Sequence, residues 1–343
     1  MVGKPKLETV AKQAGVSVAT VSQVMRGTGR ISEQTRKKVL QTAKNLNYVP
    51  DGRAASMRSG QNREIGLALH QIANPFNAEV ISGASDLLES EGYLLSVLDA
   101  RDDAARQRRQ IEAFIGSSRA GLIWVPAQDT PEATCELLKT HKLPTVTFLR
   151  HTSFAEFDHV GIQNTDATAR ATEHLADLGH SRIAFLGGTA RVDVRNERIE
   201  GYTRVLAARG LGPPIVWESP DDKLSGVAAM TNLLEAHPEV TAIVCNGDVV
   251  AIGASLALTK LGLTAGLDVS IVGFDDIQDA EIAIPPLTTM AVSPYELGRK
   301  LARVVIERIK DPDMPVATTL VPARLVVRNT TGAPTRPQGA LFG

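Results

Sequence analysis

The segment from Val10 to Met25 constrains the N-terminal fold most strongly, because it is typical of two short helices joined by a tight turn. Gly15 can adopt the positive φ that ends the first helix, and Ser17 can cap the second. Apolar residues recur at helical spacing on both sides of the turn, at Val10, Ala11, Ala14, Val21 and Val24. The pattern predicts a helix-turn-helix, whose second helix can lie in the DNA major groove.

The polar face of this segment favours DNA binding over a buried helical hairpin, which would need the same apolar residues. That face carries hydrogen-bonding side chains that a buried hairpin would not need, at Ser17, Thr20, Ser22 and Gln23. The first 60 residues carry 11 Lys and Arg against 3 Asp and Glu, whereas the net charge of the whole chain is −1. A basic module joined to an acidic body is typical of a nucleic-acid binder.

A third helix is predicted after Ser32, where an apolar stripe would close a three-helix core with Val39, Leu40, Ala43 and Leu46. Three lysines on this helix, Lys37, Lys38 and Lys44, would contact phosphates or lie on a solvated face. Pro50 ends this region, which predicts a DNA-binding domain over residues 1–50. The following segment, residues 51–61, is too short to be a stable helix on its own in water.

From Glu64 onward, strand and helix patterns alternate, which predicts an α/β body with parallel sheets covered on both faces. The pattern restarts in the second half, with strands predicted at Ile65–Leu69, Tyr93–Leu98, Gly121–Val125, Thr145–Leu149, Arg182–Leu186, Pro214–Trp217, Thr241–Val244 and Ser270–Val272. A helix over Tyr295–Ile309 is expected to return to the first half. The tail over residues 331–343 is rich in Gly and Pro, so we expect it to be disordered.

Other features of the sequence limit the protein class. Cys135 and Cys245 are the only cysteines, which predicts neither a disulfide framework nor a zinc site, and no cofactor is expected. The N-terminus lacks the apolar core of a signal peptide, and no apolar run is long enough to span a membrane. We therefore expect a cytoplasmic location.

The stretch Ala14-Gly-Val-Ser-Val-Ala-Thr-Val-Ser22 closely resembles the headpiece of the lactose-repressor (LacI/GalR) family of bacterial regulators. The resemblance continues at Ile31–Arg36, Leu46–Pro50, Asn74–Phe76, His174–His180, Gly187–Gly188, Val272–Asp275 and Pro285–Thr289. It implies a body of the periplasmic-binding-protein type I fold over residues 62–330, made of two doubly wound subdomains. These would comprise residues 62–163 with 293–322, and residues 164–292 with 323–330.

The resemblance also implies how the protein contacts DNA. Val18, Ala19 and Gln23 match the positions that read base edges in the family. Residues 51–61 correspond to a hinge helix that inserts an apolar wedge into the minor groove, and Met57 stands where leucine is usual. Two headpieces of a homodimer would then bind a pseudo-palindromic operator.

Open parallel sheets bind ligands beyond the carboxyl ends of their strands, so the cleft between two facing sheets is the predicted effector site. Candidate residues follow the predicted strands, at Asn74, Phe76, Asp99, Arg101, Trp124, Arg150, Arg195, Arg198, Asn246 and Asp275. The resemblance assigns effector contacts to Arg198 and Asp275. Phe76 and Trp124 could equally belong to the core, and Arg195 could be a solvated helix charge.

This sequence departs from the family at several effector positions. Asp221-Asp222 lies where an aromatic residue commonly stacks on a sugar. The family usually has aspartate at the positions of Leu149 and Gln163, and a side-chain amide at the position of Gly247. Arginine binds carboxylate or phosphate bidentately, so the four cleft arginines predict a small anionic effector, such as a sugar acid or phosphorylated sugar. Alternatively, these arginines pair with Asp99, Asp221 or Asp275.

The sequence therefore predicts a ligand-responsive transcriptional repressor and not an enzyme. One alternative is a periplasmic-type solute-binding protein, which would need a signal peptide and no headpiece. A Rossmann enzyme would need G-x-G-x-x-G after its first strand, whereas Leu186–Ala190 is only a weak glycine turn.

Overall fold

The computed structural model describes residues 5–49, 62–117, 119–154, 156–190 and 192–335, and it divides into two compact units between Asn62 and Arg63. The predicted linker over residues 51–61, with its wedge residue Met57, lies outside the described residues. Over its described residues, the N-terminal unit contains three helices: α1 (Leu7–Ala14), α2 (Val18–Met25) and α3 (Glu33–Asn45).

Local chemistry accounts for the boundaries of these three helices. Gly15 has a φ of 63° and ends α1, while the Ser17 hydroxyl accepts a hydrogen bond from the Thr20 N–H at 3.0 Å and caps α2. The core of the unit consists of Val10, Ala11, Ala14, Val21, Val24, Val39 and Ala43. The prediction that Leu40 joins this core is wrong, because its neighbour Val39 takes the inward position and Leu40 is 46% exposed.

The body contains two six-stranded sheets. The first has strand order β11-β5-β4-β3-β1-β2 and is entirely parallel. Its strands are β1 (Glu64–Leu69), β2 (Leu94–Asp99), β3 (Gly121–Trp124), β4 (Thr145–Phe148), β5 (Asp158–Ile162) and β11 (Thr318–Val321). The second has order β12-β10-β9-β8-β6-β7, with only β12 antiparallel. Its strands are β6 (Ile183–Leu186), β7 (Ile215–Trp217), β8 (Ala242–Cys245), β9 (Ser270–Asp275), β10 (Thr288–Ala291) and β12 (Arg324–Val326).

Helices connect these strands and pack in pairs, α4 with α12, α7 with α8 and α9 with α10. The body helices are α4 (Pro75–Ser90), α5 (Ala104–Gly116), α6 (Glu132–Thr140), α7 (Asn164–Asp177), α8 (Asp193–Arg209), α9 (Lys223–Ala236), α10 (Asp248–Lys260), α11 (Gln278–Ile282) and α12 (Pro294–Lys310). Among the described helices, none combines the length and the apolar character needed to cross a membrane.

The chain passes between the two halves of the body three times, after β5, after β10 and between β11 and β12. After the second passage, α12 returns to the first half and packs on α4. Gly83 and Gly298 allow this close approach, since a Cβ at Gly298 would lie 2.1 Å from the Val80 carbonyl oxygen. The predicted fold class, a helix-turn-helix unit followed by two doubly wound α/β halves, is confirmed.

The segment after residue 330 differs from its prediction. The Gly332 N–H donates to Ser270 Oγ at 3.0 Å, and the Thr335 hydroxyl donates to the Leu267 carbonyl at 2.7 Å. Residues 331–335 therefore pack along the second half, and the predicted disorder is wrong for them. The remainder of the tail, residues 336–343, lies outside the described residues.

Candidate functional site

The predicted DNA-reading face is carried by α2. Val18, with 42% of its surface exposed, and Ala19 project from the first turn of the helix. The Ser17 and Thr20 hydroxyls lie 2.8 Å apart, so both take part in the helix cap. Gln23 is half-buried and packs over Gly29, where a Cβ would lie 2.9 Å from Gln23 Oε1. Ser22 is also half-buried on this helix.

The second predicted site is a cavity of about 790 Å³ between the two halves of the body, at the carboxyl ends of their strands. Nine of the ten candidate residues line this cavity: Asn74, Phe76, Asp99, Arg101, Arg150, Arg195, Arg198, Asn246 and Asp275. His70, Asn77, Asp102 and Asp221 join them, although none was among the candidates. The cavity thus combines arginines, carboxyl groups and amides from both halves.

Trp124 does not line the cavity, and its prediction as an effector contact is wrong. Its side chain is fully buried, and its Nε1–H donates to Gln107 Oε1 at 2.7 Å. It packs in a separate hydrophobic cluster with Ile111 and Phe114 of α5. Although β3 ends at Trp124, this side chain points to the face of the sheet that α5 covers.

On the wall formed by the first half, both arginines pair with carboxylates. Arg150 donates to the two Asp102 oxygens at 2.5 and 3.1 Å, and Arg101 Nε lies 3.4 Å from Asp99 Oδ2. Burial of Asp102 opposes its ionisation, but the hydrogen bonds and charge of Arg150 outweigh burial and lower the pKa of Asp102. The alternative of arginines paired within the cleft therefore holds for this wall, although the partner of Arg150 is Asp102.

The wall formed by the second half holds two buried arginines without such partners. Arg195 Nε donates to the Gly187 carbonyl at 2.9 Å, and its relative exposure is 7%. Arg198 Nε donates to Asn164 Oδ1 at 2.9 Å, and its Nη1 donates to the Asn246 carbonyl. Neither arginine forms a salt bridge within the part of the chain that the structure describes. Burial lowers the pKa of both guanidinium groups.

Two carboxyl groups lie on the same wall. Asp221 accepts from Asn246 Nδ2 at 3.0 and 3.1 Å, and burial raises its pKa. Burial raises the pKa of Asp275 well above its usual value, while the charge of Arg198 opposes this shift. Both carboxyl groups are thereby biased towards the neutral form, which can donate as well as accept a hydrogen bond.

A further aspartate, Asp248, supports the loop that follows Asp275. The backbone φ of Asp275 is 118°, an unfavourable conformation for a residue other than glycine. Asp248 holds the adjoining loop, since its carboxyl oxygens accept from the Thr289 hydroxyl at 2.6 Å and the Ile277 N–H at 3.0 Å. Burial raises the pKa of Asp248 to about 7. Asp248 thus supports the cavity from behind without lining it.

The two halves also contact each other directly. Gln128 Nε2, in the loop after β3, lies 3.4 Å from the Ala190 carbonyl oxygen in the loop after β6.

Elsewhere, Cys135 and Cys245 are buried and form no disulfide, and among the described residues no group of His, Cys, Asp or Glu could hold a metal ion.

Comparison with known proteins identifies both units. Residues 6–51 match the family model of bacterial regulatory proteins of the lacI family, and residues 172–331 match a periplasmic-binding-protein-like domain. The HTH-type transcriptional repressor PurR of Vibrio campbellii is 32% identical over 327 residues, covering 94% of this chain and 98% of PurR. The chain belongs to the lacI family. It is therefore a transcriptional regulator with a helix-turn-helix unit. The alternative, a solute-binding protein without a regulatory role, is not supported.

Solved structures agree with this assignment. The lac repressor dimer bound to operator and the anti-inducer ONPF is 27% identical, with a TM-score of 0.83 over 96% of this chain and 100% of that one. The complex of the transcriptional regulator CelR with cellobiose is 28% identical, with a TM-score of 0.72 over 95% of this chain and 99% of that one. These relatives are regulators rather than enzymes.

We predict that Arg198→Ala lowers the free energy of unfolding of the full-length protein by roughly 2–5 kcal/mol, because it removes a buried charge that holds two partners. Urea unfolding followed by circular dichroism measures this change. Arg204→Ala is the matched control on α8, since the Arg204 side chain is 53% exposed and pairs with Asp166 at the surface. Equal stabilities of the two variants would contradict the structural role of Arg198.

Proposed function

We propose that this protein is a repressor that reads operator DNA through α2 and is controlled by a small anionic metabolite bound between the two halves of its body. The observation that carries this proposal is the pair of buried arginines, Arg195 and Arg198, that lack carboxylate partners within 4 Å in the described chain. A carboxylate or phosphate would supply a direct ion-pair partner for them.

The electrostatics of the cavity support an anion over a neutral ligand. On the first wall, Arg101 and Arg150 are already neutralised by their own aspartates. On the second wall, Arg195 and Arg198 form no salt bridge with the described residues, although the charges of Asp221 and Asp275 act on Arg198. Charge-assisted pairing with guanidinium is strong in a partly dry site. The anion would therefore bind to the second wall.

The remaining groups favour a hydroxylated scaffold. Asp275 and Asn246 can bond hydroxyl groups, and Phe76 supplies an apolar surface in the same cavity. A cavity of about 790 Å³ lies within the ordinary range for small-molecule sites. The cellobiose held by CelR supports a carbohydrate-like ligand in this fold. We therefore propose a sugar acid or a phosphorylated sugar as the effector.

Exposed apolar residues support a homodimer formed through the body. Leu224, Ile282 and Ile284 are 79%, 76% and 92% exposed. An ion pair between Lys223 and Asp279 brings their two segments together on the second half. A patch of this kind marks a protein–protein contact. Two headpieces in one dimer would bind a pseudo-palindromic operator in the cytoplasm, as the operator-bound lac repressor dimer suggests.

Control of DNA binding would follow from a change in the angle between the two halves. Three passages of the chain join the two halves, so an effector that contacts both walls would favour one angle between the halves over others. That shift would alter how residues 51–61 meet the minor groove, with Met57 as the wedge. Both the linker and Met57 lie outside the described residues, so this step stays a prediction from the sequence.

Gln23→Ala tests the DNA-reading role of α2. We expect a loss of ~1–3 kcal/mol confined to one base pair in each half-site, because glutamine can bond adenine bidentately. Fluorescence anisotropy with an operator selected from random DNA, and with single-base variants of it, measures the loss. Gln13→Ala, at an exposed position on α1, is the control. An equal loss on all DNA sequences would make Gln23 a phosphate contact instead.

Calorimetry with charge-matched pairs tests the effector class. D-glucuronate should bind the full-length protein about tenfold or more tightly than D-glucose, and D-ribose 5-phosphate should exceed D-ribose similarly, because only the anions engage Arg195. Arg195→Gln should reduce the preference, since Arg198 remains. Arg101→Gln should keep it, since the Arg101 side chain is 74% exposed and already paired.

Tighter binding of the neutral sugars would overturn the charge argument. So would an anion preference that survives Arg195→Gln but disappears in Arg101→Gln.

A further inference from the structure

We infer that a second cavity of the body, beside the first passage of the chain between the halves, binds a protonated aliphatic amine. This cavity has a volume of about 480 Å³ and is lined by residues of both halves. Among its described lining residues, only Leu149 also lines the proposed effector cavity. The amine site therefore goes beyond the proposed function and can be tested separately from it.

The first half contributes a buried histidine. His159, in β5, lines the cavity and has a relative exposure of 3%. The tip of its ring lies over Gly161, where a Cβ would approach His159 Nε2 to 2.6 Å. His159 Nδ1 lies 3.0 Å from the Thr147 hydroxyl oxygen, whereas Nε2 forms no hydrogen bond with the described residues. Nε2 is thus the ring nitrogen that remains for a ligand.

The Thr147 hydroxyl determines whether Nε2 donates or accepts. Its single proton goes to the Asp158 carbonyl oxygen at 3.1 Å, because a carbonyl can only accept. The hydroxyl oxygen then accepts from His159, which places the ring proton on Nδ1. Burial and the charge of His151 lower the pKa of His159 to about 4, so the ring is neutral near pH 7. Nε2 therefore carries a lone pair and needs a donor from the ligand.

The second half contributes carboxylates to the same cavity. Glu197 and Glu200 lie one turn apart on α8, and both line it. Glu197 is half-buried and accepts from Asn164 Nδ2 at 2.8 Å, while Glu200 lies 3.5 Å from the Thr165 hydroxyl. Neither glutamate forms a salt bridge within the part of the chain that the structure describes. Their charges are therefore available to a cation.

The other lining residues leave this negative charge in place. Asp166 pairs with Arg204, and the described lining includes no lysine or arginine. Apolar side chains complete the wall, at Leu149, Ile162 and Leu320. The cavity thus offers carboxylates, a lone pair and an apolar surface to one ligand.

A protonated aliphatic amine matches all three features. An ammonium group carries positive charge and three N–H donors, and it accepts no hydrogen bond. Its N–H groups can reach carboxylates and a neutral imidazole, while its methylene chain can cover apolar side chains. A metal ion is not favoured, since no group of described residues could hold one. An amine between His159 and Glu197 would join the two halves.

Three probes separate charge from hydrogen-bond donors: 1,4-diaminobutane, its hexamethylated bis-quaternary analogue and 1,4-butanediol. The first has both ammonium charges and N–H donors, the second has only the charges, and the third has only donors. By calorimetry on the full-length protein near pH 7, we expect 1,4-diaminobutane to bind about tenfold or more tightly than either of the others.

A matched pair of charge substitutions locates the amine. Glu197→Gln removes the charge and keeps an acceptor for Asn164, so the affinity for 1,4-diaminobutane should fall about tenfold. Glu173→Gln removes the same charge at an exposed position on α7, outside the cavity, and should leave the affinity unchanged.

A second pair tests the lone pair of His159. His159→Asn keeps a donor towards Thr147 in place of Nδ1 but has no counterpart of Nε2, so the preference for 1,4-diaminobutane over its quaternary analogue should be lost. His159→Gln can supply an acceptor at the position of Nε2 and should retain the preference. Thermal melting verifies that each variant is folded.

Absence of binding by 1,4-diaminobutane at millimolar concentration would overturn the amine site. Equal affinity for the quaternary analogue would also overturn it, as would equal losses in Glu197→Gln and Glu173→Gln. A preference for N–H donors that survives in His159→Asn would remove His159 from the site and contradict the assignment. None of these outcomes changes the anion preference expected from Arg195, so the two sites are judged independently.

Discussion

The buried guanidinium of Arg198 joins three separate parts of the body. It donates to Asn164, directly after the first passage between the halves, and to the Asn246 carbonyl at the end of β8. Its carbon Cζ also lies 3.7 Å from the centre of the Phe274 ring, in β9. A charge held this far from water is stable only while its donors have partners. The crossover, the cavity floor and the central strands of the second sheet therefore depend on one side chain.

This arrangement gives the two walls of the cleft different characters. The first wall neutralises its own charges through Arg150 and Asp102, so it can receive a ligand without needing a counter-ion. On the second wall, Arg195 and Arg198 are buried and form no salt bridge with the described residues, so the proposed anion would pair with this wall. A ligand that contacts both walls would displace the same residues that anchor the crossover. Binding and a change in the angle between the halves would thereby be coupled through shared contacts.

Much of this could be predicted from the sequence, because strand ends and helix caps are local features. The cavity residues were predictable since parallel strands present their carboxyl ends at one edge. Trp124 was wrongly placed because the face that a side chain takes at a strand end depends on the pleat and on Gln107, which lies 17 residues earlier. The partnership of Arg150 with Asp102 spans 48 residues, and the sequence carries no signal for it. The strands β5, β10, β11 and β12 were also not predicted. No described helix separates β5 from β4 or β12 from β11, so the strand–helix alternation did not indicate these pairs.

Locking the cleft tests most directly whether its geometry controls DNA binding, and it requires no effector. Gln128 Nε2 and the Ala190 carbonyl oxygen lie 3.4 Å apart and belong to different halves, so the double variant Gln128→Cys with Ala190→Cys can be joined by a short bis-maleimide crosslinker. The native Cys135 and Cys245 are both buried and leave this chemistry undisturbed. Affinity for a selected operator, measured by anisotropy, should differ about fivefold or more between the crosslinked and the uncrosslinked double variant. Equal operator affinity of the two forms, with the crosslink verified by mass spectrometry, would contradict the account.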